Sequence, residues 1–265
     1  MNELLKYLWV ARMSARSSLT YAGDLVGRGV FFTVLLYIFL RLWQTTYGGT
    51  GATLLAGLTL SQMLWYLTIT EAILLSGPKV SQQVDEDVRT GSLASQLTRP
   101  MSYAFYRLSA NLGERFVRFA INLLTGSVVT TILVGPAAVS LAGLGALLLA
   151  LPLAFSLDFI GNFLVGLGAF WLEDTNGLLL LYSRGTLILG GVLIPIQLFP
   201  QGVQPWLVWL PFANVAAGPA RIFVDPSVGE LIVLLLRQWM VAIVFGAIVA
   251  AVYRVALRRV FVNGG

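Results

Sequence analysis

The chain has 265 residues, of which 57% are hydrophobic and 11% charged, with a formal net charge of +5 and a mean hydropathy of +0.83. A soluble domain carries roughly 25% charged residues to clothe its surface, so this composition excludes a water-soluble enzyme. With no cysteine and no histidine, disulfides, thiolate nucleophiles, Cys/His zinc sites, haem ligation by either residue and histidine proton relays are excluded too.

In chain order, the N-terminus carries Lys6, Arg12 and Arg16 but lacks an apolar core ending in a small-residue cleavage site, so it is not expected to be a cleaved signal peptide. A first apolar segment runs from about Leu25 to Trp43, with Arg28 and Arg41 at its ends. A second, about Thr53 to Gly77, carries Gln62 and Glu71. A polar loop, 78–103, follows. The third segment, about Phe116 to Val134, comes after the charged turn of Glu114, Arg115 and Arg118. Gly135-Pro136 turns the chain into a fourth, about Ala137 to Trp171, which is longer than a bilayer needs and is expected to tilt, kink at Pro152 or project. A fifth spans about Leu178 to Leu198. The stretch 199–230, with Pro200, Pro205, Pro211 and Pro219 and the aromatic Trp206 and Trp209, reads as interfacial or re-entrant helices. A sixth, about Leu231 to Tyr253, ends in Arg254, Arg258 and Arg259.

The expected fold is therefore an all-α integral membrane protein, one transmembrane domain over 1–265 built as a six-helix bundle. With the N-terminus inside, Arg41, Arg221 and Arg237 are the three of the 17 lysines and arginines that fall outside, leaving fourteen inside. That asymmetry predicts cytoplasmic termini and explains the positive charge as membrane topology rather than nucleic-acid binding. The halves show no internal repeat, which weighs against inverted-repeat transporters.

The loop between the second and third spans is the most informative segment. Val80, Val84 and Val88 recur every four residues on one face of a short helix, with Asp85, Glu86, Asp87 and Arg89 around them. Thr90-Gly91 is a break, Ser92 a cap for a second turn carrying Leu93 and Leu97, and Arg99-Pro100 ends it. The spacing fits a helix docking into a groove on a soluble partner. It fits equally a solvated loop whose valines rest on the membrane.

Glu71 and Asp158 are polar groups within apolar segments, either lining a pathway or paired with Arg115, Arg118 or Arg184, the pairing being favoured. Gln62, Asn122 and Asn162 are candidates for hydrogen bonds between helices. Ala142, Ala146, Ala150 and Ala154, and Ala242, Gly246 and Ala250, repeat every four positions and predict close helix packing. Trp206, Trp209, Phe212 and Phe223 read as belt anchors or as a gate.

The order of elements resembles the membrane subunit of ATP-binding-cassette (ABC) type-2 permeases, in their uncharacterised bacterial branch. The resemblance rests on the basic amphipathic start, two spans, the acidic loop DEDVRTGSLASQLTRPMS from Asp85 to Ser102, and the late IPIQLFPQGVQPWLVWLPFANVAAGPARIF from Ile194 to Phe223. It implies a bacterial inner-membrane subunit that pairs with a second permease, identical or homologous, and binds two copies of a cytosolic ATPase. The segment Val80 to Thr98 would be the coupling helix. The segment Leu4 to Leu19, within 1–24, would be an interfacial helix, with Leu4, Leu8, Ala11 and Ala15 on one face and Lys6, Arg12 and Arg16 off it; a simple cytoplasmic anchor explains those cations almost as well. The sequence contains no GxxxxGK[ST] loop, so the chain is expected to bind no cofactor, with ATP and Mg2+ on the partner. The resemblance implies export of an amphiphilic, lipid-like or drug-like substrate. An ion-gradient-driven transporter and a membrane-embedded lipid-modifying enzyme are the alternatives, and both lack the intramembrane charges or paired acids and bases they need.

Overall fold

In lipid, a long apolar stretch satisfies its backbone only by coiling into a helix. The computed structural model describes residues 3–19, 22–136 and 140–262, and within them every regular element is helical. The helices are α1 (Glu3–Ser18), α2 (Ala22–Thr50), α3 (Leu60–Leu75), α4 (Val80–Arg89), α5 (Ser92–Leu97), α6 (Tyr103–Val134), α7 (Leu141–Leu167), α8 (Asn176–Leu189), α9 (Gln204–Leu207), α10 (Pro211–Val215), α11 (Ala217–Val224) and α12 (Val228–Val262).

Among the described residues, four stretches are long and apolar enough to cross a bilayer: Gly29–Thr50 in α2, α6, Leu141–Phe170 through α7, and Val228–Arg259 in α12. The other two expected spans are shorter than the sequence suggests. α3 has 16 residues and α8 has 14, about 24 and 21 Å at 1.5 Å per residue, against a hydrocarbon core of about 30 Å. Local chemistry sets both limits. Before α3 the chain turns through Gly51, Ala56 and Gly57, all at positive φ. Thr59 and Gln62 then close a capping box that starts the helix there. α8 stops at Gly190, followed by Gly191 at φ +72°, a left-handed turn that glycine adopts without strain.

The third expected span is longer than its apolar stretch. α6 begins at Tyr103 after Ser102 at its N-cap, and the expected charged turn lies inside it, with Glu114 and Arg118 forming an i,i+4 ion pair. α7 runs without interruption past Pro152. The expected start of the fourth segment at Ala137 lies outside the described residues, as does the side chain of Arg28.

α3 sits at the centre, with every residue from Met63 to Ile73 buried. Hydrophobicity cannot drive helices together in lipid, so close packing and hydrogen bonds must. Gly126 of α6 lets Phe32 of α2 and Thr68 of α3 approach, and the Thr68 and Thr130 hydroxyls meet at 2.6 Å. Ala146 and Ala150 of α7 pack with Ile222 of α11 and Leu234 of α12, and Ala154 is fully buried, while Ala142 is exposed. The alanine series thus serves packing within the subunit. Phe223 is buried beside Trp65, whereas Trp206 and Trp209 are exposed, as belt anchors are.

The chain's two ends are tied differently. At one end of the bundle, Lys6 Nζ donates to the Pro100 carbonyl at 2.8 Å, the Ser102 amide donates to Tyr7 Oη, and Arg259 donates to the Phe170 carbonyl. This loop end carries α1, α4 and α5. At the opposite end, Arg221 donates to the Ala56 carbonyl and Tyr47 to that of Leu58.

A Cβ on Gly126 would stand 2.7 Å from the Phe32 ring and 2.8 Å from Thr68 Cγ2, whereas one on Gly145 meets nothing within 4 Å. Gly126→Leu is expected to cost about 1–3 kcal/mol of stability and Gly145→Leu to leave it unchanged, read as thermal unfolding of the purified protein in detergent.

Candidate functional site

The loop between α3 and α6 folds as two helices hinged at Gly91, whose φ of +72° joins α4 to α5. Its valine face turns inward. Val80 and Val84 are 2% and 0% exposed and pack with Phe163 and Leu167 of α7, Leu93 of α5 joins the same cluster, and Val88 and Leu97 lie against its edge. Gly166 of α7 makes room for this contact: a Cβ there would lie 2.7 Å from Val84 Cβ and 2.8 Å from the Ser81 carbonyl. The periodicity therefore marks a face buried in the chain's own core. What α4 leaves to solvent is Gln82, Gln83, Glu86 and Arg89, with Arg99 and Pro100 exposed beyond α5.

Two of the three acids also face inward. Asp87 is the hub of a clasp: it accepts from Tyr103 Oη at 2.6 Å, Ser92 Oγ at 2.9 Å and Gln96 Nε2 at 2.8 Å, and it pairs with Arg107. Burial alone would push its carboxyl up, but the bonds from Tyr103 and Arg107 outweigh burial and hold it below the usual carboxylate range. Asp85 pairs with Arg89 at 2.7 Å and accepts from Thr175 Oγ1 at 2.8 Å, and here too these partners overcome burial and lower the carboxyl. Tyr103, Arg107 and Thr175 carry no signal in the sequence, because their partners lie 16, 20 and 90 residues away.

Deeper in the bundle, Arg115 is 1% exposed and forms an ion pair with Asp158 at 2.5 Å. The same guanidinium donates to the Ile73 carbonyl and Ser76 Oγ at the end of α3, and lies over the Phe155 ring at 4.4 Å. Tyr182 Oη of α8 donates to Asp158 Oδ1 at 2.8 Å. One buried charge pair thus joins four helices. The pairing expected from sequence holds for Asp158. It does not hold for Glu71, which is 5% exposed and has no hydrogen-bond or ion-pair partner among the described residues.

Of the three amides considered as interhelical bonds, only Asn122 makes one, a long 3.5 Å contact to the Ala72 carbonyl. Gln62 belongs to the capping box of α3, and Asn162 donates to the Asp158 carbonyl one turn back in its own helix. The amide with that task was missed. Asn214 of α10 accepts from Arg237 Nε at 2.9 Å through its side chain and from Gln238 Nε2 through its carbonyl, fastening the short helices to α12.

On α1 the expected apolar face is split between the bundle and the outside. Gly113 of α6 meets Ala11 closely, while Leu4 and Leu8 stay 77% and 64% exposed beside Trp9 and Met13. Arg12 lies over the Trp9 ring, and Arg16 is exposed. The helix thus presents an apolar and basic surface away from the bundle, as a helix lying at a lipid interface does.

A cavity of about 690 Å³ opens between α2, α3, α7 and α8, with Glu71, Asp158, Asn162 and Arg184 on its wall. A second of about 690 Å³ at the opposite end lies between α11 and α12, bordered by Arg221 and Arg237.

A model of the family described as ABC-2 family transporter protein matches residues 30–264, nearly the whole chain. The chain belongs to the ABC-2 transporter family. No curated protein matches it. It is a multi-pass transmembrane permease of an ABC transporter, a transport component that is not itself catalytic.

The buried pair and the clasp give the permease two measurable sensitivities. Asp158→Asn strands the Arg115 charge and is expected to cost about 3–5 kcal/mol, whereas Arg115→Met combined with Asp158→Leu costs less than the single change; thermal unfolding in detergent distinguishes them. Because the folded Asp87 carboxyl is depressed, its stabilisation is complete above the ordinary carboxylate value of about 4 and is lost as pH falls through the lower folded value. Amide exchange over residues 80–98, corrected for intrinsic rate, should stay slow above that value and accelerate below it, and Asp87→Asn should be fast throughout.

Proposed function

We propose that the permease forms half of an export pathway, paired with a second permease, identical or homologous, and driven by two copies of a cytosolic ATPase that carry ATP and Mg2+. In this reading α3 and α8 are short spans that complete six crossings, and the helices within 199–230 lie at the extracytoplasmic interface. The loop end faces the cytoplasm, both termini with it, in the inner membrane of a bacterium. The lysine and arginine asymmetry supports that orientation. The apolar walls of the inner cavity support an amphiphilic, lipid-like or drug-like substrate.

The observation that carries the reading is the two-sidedness of α4. Its buried face is locked to α7 through Val80 and Val84, and Asp87 holds α5 and the start of α6 to it. Its other face, Gln82, Gln83, Glu86 and Arg89, is exposed and polar. A helix bound so tightly on one side passes a push on the other directly into α6 and α7. The ATPase therefore meets this polar face, and the valines carry the force inward rather than contacting the motor.

The test is a charge reversal on the outer face. Glu86→Arg is expected to weaken ATPase co-purification and to lower ATP-driven transport, with the permease's melting temperature unchanged. Val84→Asp should lower both, because it unseats the loop itself. An unaltered, fully coupled complex with Glu86→Arg would overturn the assignment of this face.

A further inference from the structure

The cavity between α2, α3, α7 and α8 is set apart from a lipid-filled crevice by an unpaired carboxylate on its wall. Glu71 is 5% exposed and borders the cavity, and nothing among the described residues neutralises it. The other acid on the wall, Asp158, is matched by Arg115 and bonded by Tyr182. Arg184 also borders the cavity, but it is exposed and forms no ion pair with Glu71. Asn162, Tyr182, Ser183 and Thr186 add polar groups, and the rest of the wall is apolar, with Phe31, Leu35 and Ile38 from α2 and Leu179 and Leu187 from α8. An ionised group withdrawn from water is costly unless a partner of opposite charge accompanies it. A ligand that brings a cation to Glu71 and lays a chain along these side chains meets both needs at once.

We propose that this cavity is a binding site for cationic amphiphiles, in which Glu71 receives an ammonium head and the α2 and α8 side chains receive the apolar tail. The assignment rests on the transporter reading above and narrows its substrate class. The volume of about 690 Å³ suits a single-chain amphiphile, since ligand pockets commonly run from about 300 to 1,000 Å³. α8 is suited to be the movable wall. Thr186 is its one buried residue, and its side-chain tie to α7 is the bond from Tyr182 to Asp158.

The test uses the full-length permease in lipid nanodiscs and two labelled probes of equal chain length, dodecyltrimethylammonium and dodecyl sulfonate. The wild type is expected to bind the cation about tenfold or more tightly than the anion, the scale of one hydrogen-bonded or contacting charge. Glu71→Gln should abolish that preference while leaving the anion's weak binding as it was. Glu71→Asp should keep the preference, and Leu187→Trp should weaken both probes by filling the cavity. A preference that survives Glu71→Gln overturns the proposal. So does equal weakening of both probes by that change, which would mark Glu71 as structural. Failure of the wild type to bind either probe above protein-free nanodiscs also overturns it, as expected if a second copy of the chain fills the cavity. Transport with the partner ATPase separates the two readings. Charge discrimination at Glu71 without ATP-driven export sinks the exporter and leaves the site; ATP-driven export indifferent to Glu71 does the reverse.

Discussion

A buried guanidinium must be surrounded by acceptors, and in this permease Arg115 finds them on two other helices. The Ile73 carbonyl and Ser76 hydroxyl end α3, Asp158 comes from α7, and Tyr182 of α8 completes the carboxylate's shell. Neither Arg115 nor Asp158 can be withdrawn without leaving the other stranded. The relative height of α3, α6 and α7 is therefore fixed by electrostatics, in a bundle whose apolar contacts alone would tolerate sliding. The loop hangs directly from this node, since α3 runs into α4 within five residues. The inner cavity inherits its polarity from it too, because Asp158 is spent on Arg115 while Glu71 is not.

The same logic recurs at the edge of the membrane in a weaker form. Asp87 gathers Tyr103, Arg107, Ser92 and Gln96 and so makes α4, α5 and the start of α6 one piece. Packing of Val84 against Gly166 then attaches that piece to α7. The loop is therefore a solid element, not a flexible tether.

Much of this was legible from residue types and spacing. The apolar runs gave the helical membrane fold, the four-residue valine spacing gave α4, and the glycine and proline after it gave the hinge and the end of α5. What spacing could not convey was which side of α4 is inside. An amphipathic helix looks the same whether its apolar face meets its own protein or another, and the deciding partners, Phe163, Leu167 and Gly166, lie some eighty residues downstream. Helix ends were misjudged for a related reason. Hydropathy measures what lipid tolerates, whereas the limits of α3 and α8 come from a capping box and a left-handed glycine, and α6 carries an i,i+4 ion pair where a charged turn was expected. The polar node at Asn214 was invisible because one amide among apolar residues has no periodicity.

The grip of α1 on the chain just past α5 has a mechanical corollary. Lys6 holds the carbonyl of Pro100 and Tyr7 the amide of Ser102, so both tethers attach downstream of the hinge at Gly91. Rotating the first half of the loop about that glycine leaves them intact. Translating the second half ruptures both unless α1 travels with it, together with its exposed Leu4 and Leu8. Any drag on the exposed face of α1 thereby enters the dynamics of the hinge at Gly91.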